Sequence, residues 1–216
     1  MITTQELVDK VLMLLNEPGV EPSITLLSED TRALSDTVQQ LLPDAVLFVQ
    51  NNKAFGALNP KACSVAASQI TEHGDGSGVI ELPDDFVALV ELHLDGWERS
   101  CTFLQPQGSA LALAQGNKDT RAGRCKPVCV DGVNAQGKRV VNYYSLPVDK
   151  NVVVDKFVYE AVFNPQEGLS CEQGSPLVWA VVYQCAGLVY NVFERRDSAN
   201  AFMALAVAWC KNGKIE

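Results

Sequence analysis

Apolar positions along the chain fall into three blocks with different periods. In the first, Leu7, Val8, Val11, Leu12, Leu14 and Leu15 recur at helical steps and form one stripe. Thr3, with Glu6 three residues on, is a capping box that starts this helix, and Pro18-Gly19 stops it near Asn16. A loop to Leu27 follows. Ser28 opens a second helix, with Glu29 and Asp30 in the turn where the helix dipole favours acid. Leu34, Val38 and Leu41 share a face, Pro43-Asp44 predicts a break or restart, and Ala45, Val46, Phe48 and Val49 carry the pattern to about Asn51. The chain then reads as loop to Pro60, with a short helical piece from Pro60 to Ser68.

The middle block has the two-residue period of strands. Val79-Ile80-Glu81-Leu82 predicts a short strand ended by Pro83, and the stretch Phe86 to Trp97 a longer one with a wet face that carries His93. A helix is expected around Ala110–Ala114. Cys125–Val130, Lys138–Tyr144 and Val152–Val162 read as three more strands. Asp131-Gly132 and Gln136-Gly137 mark the first turn region between them, and Leu146-Pro147 to Lys150 the second.

The last block is the most apolar. Gly174-Ser175-Pro176 predicts a serine cap with proline in the first helical turn. Leu177 to Phe193 is apolar nearly all the way round, which requires burial in a core or by other subunits. Tyr183, Gln184, Tyr190 and Asn191 interrupt it, against a membrane span. Glu194-Arg195-Arg196-Asp197 ends this helix. Ser198 is placed to cap another, in which Phe202, Leu205 and Trp209 recur, so the two form a helical hairpin.

Helices, then strands, then a helix pair predict an α+β fold: a helical bundle built from both ends of the chain, with an inserted antiparallel β region. The expected divisions are 1–70 for the N-terminal helical part, 71–170 for the β-rich insertion and 171–216 for the hairpin that completes the bundle.

Composition narrows the function. At 47% hydrophobic and 20% charged residues the chain is globular. Its start, Met1-Ile2-Thr3-Thr4-Gln5-Glu6, has no basic segment before an apolar one, so no signal peptide is expected. The net charge is −9, with 5 basic and 16 acidic residues in 1–108 against 12 and 10 in 109–216. That balance argues against a general grip on nucleic acid. It suits copies meeting head to tail, or a passage to which DNA must not stick. The basic residues Lys118, Arg121, Arg124, Lys126, Lys138, Arg139, Lys150 and Lys156 read as solvated strand faces or as a partner surface for the acidic first half.

Candidate chemistry is sparse. Seven cysteines, an odd number, argue against a full disulfide framework. Cys125 and Cys129 have three residues between them and no second ligand pair; His73 and His93 lie far off, so a zinc site is not expected. The Gly-x-Gly-x-Gly spacing of Gly74-Asp75-Gly76-Ser77-Gly78 lacks the preceding strand and following Lys-Ser/Thr of a phosphate loop, and reads as a hairpin or loop tip. Asp84-Asp85 are adjacent and point different ways, so a shared acid site is not expected. No catalytic, cofactor-binding or metal-ligating residue is assigned, and a structural role is expected.

The order of elements resembles the head-to-tail adaptor, or connector ring, proteins of tailed bacteriophages, of the crAss-like and short-tailed type. The likeness is carried by Leu41-Leu42-Pro43-Asp44-Ala45, by Val79-Ile80-Glu81-Leu82-Pro83-Asp84-Asp85-Phe86 running into a strand that ends near Trp97, by Tyr143-Tyr144, and by Val158-Tyr159 followed by an acidic loop and the proline-started helix pair. It covers most of the chain as a loose pattern, and it brings no catalytic residues. It implies a homo-oligomeric ring, commonly of twelve copies, between the portal protein and the tail or further ring proteins. DNA would pass through without sequence-specific binding. The protein would be made in the host cytoplasm and reside in the virion, with no membrane association. Other readings are a different tail-completion or stopper protein, or a small thiol-dependent or metal-binding protein using Cys125 and Cys129. One departure from the family is the short tail after the last helix, Lys211 to Glu216, where adaptors often carry a long arm.

Overall fold

A computed structural model describes residues 1–15, 28–148, 151–171 and 174–212. The Pro18-Gly19 stop, the loop to Leu27 and Lys150 lie outside the described residues. Among those described, the fold is α+β, with five α-helices and eight strands. The chain divides into two compact units: Met1–Asn59 with Val162–Glu216, and Pro60–Ala161.

The first unit is helical. Helix α1 (Thr4–Leu15) starts at the expected capping box, where the Thr3 amide donates to Glu6 Oε2 at 2.7 Å and the Glu6 amide to Thr3 Oγ1 at 3.2 Å. Helix α2 (Ser28–Asn52) runs unbroken through Pro43, where a break or restart was expected. A proline inside a helix costs about 3 kcal/mol. Here Leu42, Ala45, Val46 and Val49 on either side are all fully buried. At about 1.5–3 kcal/mol for each large apolar side chain, their burial outweighs that loss and holds the helix continuous.

Helix α4 (Leu177–Val192) packs against α1, α2 and α5 (Arg196–Asn212). It buries Leu177, Val178, Ala180, Val181, Val182, Cys185, Ala186, Val189 and Tyr190, so its all-round apolar surface finds its neighbours within the chain itself. Gly187 lets α5 approach: a Cβ there would lie 2.8 Å from Met203 Cγ and 3.1 Å from the Ala199 carbonyl. The helix starts differ from expectation. Ser175 gives α4 no side-chain cap; its carbonyl accepts from the Val178 amide at 3.2 Å, and Pro176 is itself the cap residue. Ser198 lies inside α5, which starts at Arg196, because the Arg195 carbonyl already accepts from the Ala199 amide at 3.0 Å. A chain of rings, Trp179–Tyr183–Phe202–Tyr190, crosses the α4/α5 contact at centroid spacings of 5.5–6.2 Å.

The second unit holds two sheets. One orders strands β1 (Pro60–Ala62), β8 (Val154–Ala161) and β4 (Phe86–Leu94), all antiparallel. The other orders β2 (Ile70–Glu72), β3 (Gly78–Glu81), β7 (Arg139–Tyr143), β6 (Cys129–Val133) and β5 (Leu104–Gln105). This sheet is mixed, because β5 and β6 run parallel. A single apolar cluster draws on both sheets: Phe86, Leu92, Leu94, Phe157 and Tyr159 from the first, Ile80, Cys129, Val141 and Tyr143 from the second.

Three local expectations are corrected. Pro60–Ala62 is a strand paired to β8, and Ala67–Gln69 a single 3₁₀ turn, in place of the short helix expected from Pro60 to Ser68. Segments of three residues are too short for periodicity to identify. Strand β6 begins at Cys129 rather than Cys125, because the chain turns before it, with the Lys126 amide donating to the Gly123 carbonyl at 3.1 Å. Asp131-Gly132 lies inside β6 and not in a turn: Gly132 pairs with Val140, and a Cβ on it would lie 2.5 Å from Asn142 Nδ2. The turn comes later, where Asn134 Oδ1 accepts from the Gln136 and Lys138 amides at 3.0 and 2.9 Å and Gly137 takes a φ of 80°. Helix α3 (Ala110–Gln115) matches expectation, with Ser109 as its cap.

Counted by unit, the helical part holds 7 basic and 13 acidic residues and the sheet part 10 and 13. The charge contrast between the two sequence halves is therefore not a contrast between the two units, since the second half contributes to both. No helix among the described residues is long and apolar enough to cross a membrane.

Candidate functional site

The polar groups of the sheet unit gather where the segment after α3 meets the β2–β3 hairpin. The hairpin tip is the Gly-x-Gly-x-Gly stretch, as expected. The His73 amide donates to the Ser77 carbonyl at 3.0 Å, and Gly74 and Gly76 take φ of 74° and 79°. A Cβ on Gly76 would lie 2.2 Å from the Leu146 carbonyl oxygen, so only glycine fits there. Asp75, at the tip, accepts from the Ser77 amide at 3.0 Å and from its hydroxyl.

Arg121 reaches this tip from the other side. Its Nη2 lies 3.2 Å from Asp75 Oδ2, its Nη1 donates to the Asp75 carbonyl at 3.3 Å, and its Nε donates to the Gln115 carbonyl at 3.0 Å. The guanidinium sits 5.3 Å from the Tyr144 ring centroid. Gln115, almost fully buried, accepts from the Ala122 amide at 3.0 Å. The hydrogen bond from Ser77 is the largest influence on Asp75; with Arg121 it outweighs burial and holds the carboxyl at about 2.

Two clefts flank the segment after α3, and both have Ala122 and Gly123 in their walls. One, of about 500 Å³, is lined by Asp75, Lys118, Arg121, Arg124, Ser145 and Pro147. The other, of about 580 Å³, has Arg99 and Lys126 among its lining, with Phe103 and Leu111 as apolar walls and Cys101 in its surface. Phe103 and Leu111, which wall this cleft, are 62% and 53% exposed, and Leu113 on α3 is 71% exposed.

The residues singled out from the sequence are placed as follows. Asp85 accepts from Lys61 Nζ at 2.9 Å and from the Tyr159 hydroxyl at 2.7 Å. Burial pushes its carboxyl up, but those two donors prevail and hold it below its ordinary value. Asp84 takes no part in that site. His93 Nε2 lies 3.7 Å from Asp155 Oδ2 on a half-exposed strand face, and His73 Nδ1 lies 3.4 Å from the Ser77 hydroxyl. Of the basic residues, Arg121, Lys138, Arg139 and Lys156 are committed to ion pairs with Asp75, Glu81, Asp131 and Glu91.

Cys125 and Cys129 do not form a common site. Cys125 is exposed, and its thiol donates to Glu98 Oε2 at 3.0 Å, which pushes it up. Cys129 is fully buried in the same apolar cluster as Cys101, which is 6% exposed and donates its thiol to the Phe103 carbonyl at 3.2 Å. The Cys129 thiol beside it is the main reason that Cys101 falls to about 6, against the opposing effect of burial. Cys129 itself is pushed well up, first by burial and then by Cys101. The sequence offers Cys125 and Cys129 only as an alternative pair; the parallel pairing of Leu104 with Cys129 and the bridge of Cys101 to Leu92 place Cys101 and Cys129 in the sheet core instead. Among the described residues no group of three His, Cys, Asp or Glu side chains is arranged to hold a metal ion. No protein-family model matches this chain, and no curated protein matches its sequence.

Proposed function

We propose that this chain is a structural virion protein. Copies of it, commonly twelve, form a ring beneath the portal that joins capsid to tail and extends the DNA channel. The reading rests on the likeness to connector ring proteins set out above. The structural observation that carries it furthest is the pair of exposed apolar side chains Phe103 and Leu111, which wall one cleft of the sheet unit. Side chains of that kind suit a lasting contact with another subunit. A net charge of −9 suits a channel wall past which DNA slides without being held. The role is one of assembly and not of catalysis. The protein would be made in the host cytoplasm and remain at the head–tail interface.

Electron cryo-microscopy of the source particle tests this. The expected result is a symmetric ring of this chain between portal and tail. Density elsewhere along the tail axis would replace the connector reading with a tail-completion or stopper protein. Absence of the chain from every particle would overturn the virion reading. A matching solution test replaces Phe103 and Leu111 with serine. Assembly on the portal should be lost while the circular dichroism spectrum is unchanged; assembly at wild-type level would remove this patch from the interface.

A further inference from the structure

We infer that the segment 118–126 and the two clefts beside it form a docking surface for the exposed face of α2 in a second copy of this chain. The inference deepens the ring reading and rests on its premise that copies meet. The segment holds four of the chain's 17 basic residues, Lys118, Arg121, Arg124 and Lys126, and one acidic residue, Asp119. The whole chain carries a net charge of −9, so the sign is locally reversed. Lys118, Arg121 and Arg124 line one cleft; Arg99 and Lys126 line the other, beside Phe103 and Leu111. The shared wall of Ala122 and Gly123 makes the two clefts neighbours.

Most of these cations are open to a partner. Arg121 is tied to Asp75 and its side chain is only 12% exposed, so it serves as cleft wall. Arg99, Lys118, Arg124 and Lys126 are exposed and form no ion pair among the described residues. On the strands the arrangement differs, for Lys138, Arg139 and Lys156 each meet a carboxylate of the same unit. Four exposed cations next to two exposed apolar side chains suit an acidic surface that carries an apolar side chain of its own.

Helix α2 offers such a surface. It contains four acidic residues, Glu29, Asp30, Asp36 and Asp44, and one basic residue, Arg32. Asp36, Gln40, Asp44 and Leu47 recur at helical steps and are all exposed, Leu47 at 44%. Val38, Leu42, Val46 and Val49 on the opposite side are fully buried, which fixes the face that points outward. Asp36 and Asp44 form no ion pair among the described residues. Laid along the clefts of another copy, this face sets its carboxylates among the cations and Leu47 beside Phe103 and Leu111. The two surfaces differ, so each copy gives its clefts to one neighbour and its helix to the other. That is the heterologous contact from which closed rings are built.

The test is zero-length carbodiimide cross-linking of the full-length protein, mixed from unlabelled and isotope-labelled chains in concentrated low-salt solution. Peptide mass spectra should show mixed-label links from Lys118 or Lys126 to Asp36 or Asp44. Lys118→Glu with Arg124→Glu should weaken association at least about tenfold in sedimentation equilibrium, and so should Asp36→Lys with Asp44→Lys. An equal mixture of the two variants should restore association, since the reversed charges then face each other. No mixed-label links, links to other carboxylates only, or a mixture as weak as either variant alone would overturn the inference. The wild-type links decide the matter even if the variants fail to fold. The two readings fail separately. A ring whose copies join elsewhere overturns this contact and leaves the ring; these links in a chain absent from every particle overturn the ring and leave the contact.

Discussion

Cys185 and Cys101 are the same side chain in two surroundings. In the helical unit Cys185 lies between helices with its thiol 3.7 Å from the Val38 carbonyl, and burial alone pushes it up to about 12. In the sheet unit Cys101 lies at a cleft beside a second thiol and falls to about 6. The difference teaches where chemistry survives in a fold. Four helices meeting along α4 cover its apolar side chains and leave little room for polar groups to act. Two small sheets joined by long connections leave clefts at the rim, and Cys101 lines one of them although it is itself only 6% exposed.

The sharpest break of this comparison is alkylation. At neutral pH, iodoacetamide should modify Cys101 faster than Cys185 in the folded chain by more than about a hundredfold, and unfolding should erase the difference. The Cys101 rate should rise as pH increases through about 6 and then level off, as read by peptide mass spectrometry. Equal rates in the folded protein would dissolve the contrast.

Stability effects come next. Leu177 is fully buried in the helical unit, and Leu177→Ala should cost about 2–5 kcal/mol in denaturant unfolding. In the sheet unit, Gly76→Ala combines a left-handed backbone with a collision against the Leu146 carbonyl and should cost about 2–4 kcal/mol. Gly74→Ala has the same strain without the collision, and about 1–2 kcal/mol is expected. A reversal of that order would show that the Gly76 contact does not shape the hairpin.

Arg121→Ala removes the tie between the hairpin tip and the segment after α3, for an expected loss of about 1–3 kcal/mol. It also carries a pH signature. Asp75 is held at about 2 in the folded state against an ordinary 3.8, so its contribution is present above about 3.8 and is lost as pH falls toward 2. Acid unfolding of Arg121→Ala should show a weaker dependence in that window. The smallest effect belongs to the helical unit. The Tyr190 hydroxyl is buried and has no hydrogen-bond partner among the described residues, while its ring stacks on Phe202 at 5.5 Å. Tyr190→Phe keeps the stack and should be neutral or stabilising by up to about 1 kcal/mol, measured by thermal unfolding.

Helix existence, the buried face of α4, the Thr3–Glu6 cap and the hairpin at Gly74–Gly76 were legible in the sequence. Each depends on residues a few positions apart, and local spacing carries that information. The continuity of α2 through Pro43 was not legible, because a local penalty is outweighed by burial against distant helices. Nor were the three-residue strands β1 and β2, whose hydrogen bonds come from partners elsewhere in the chain. The Asp131-Gly132 pair looked like a turn because glycine is a turn residue; the Asn142 side chain that demands a glycine there belongs to another strand. The same holds for the candidate site. Cysteine counting in the sequence favours the near pair, Cys125 and Cys129. Strand pairing in three dimensions instead buries Cys129 in the same apolar cluster as Cys101 and leaves Cys125 exposed.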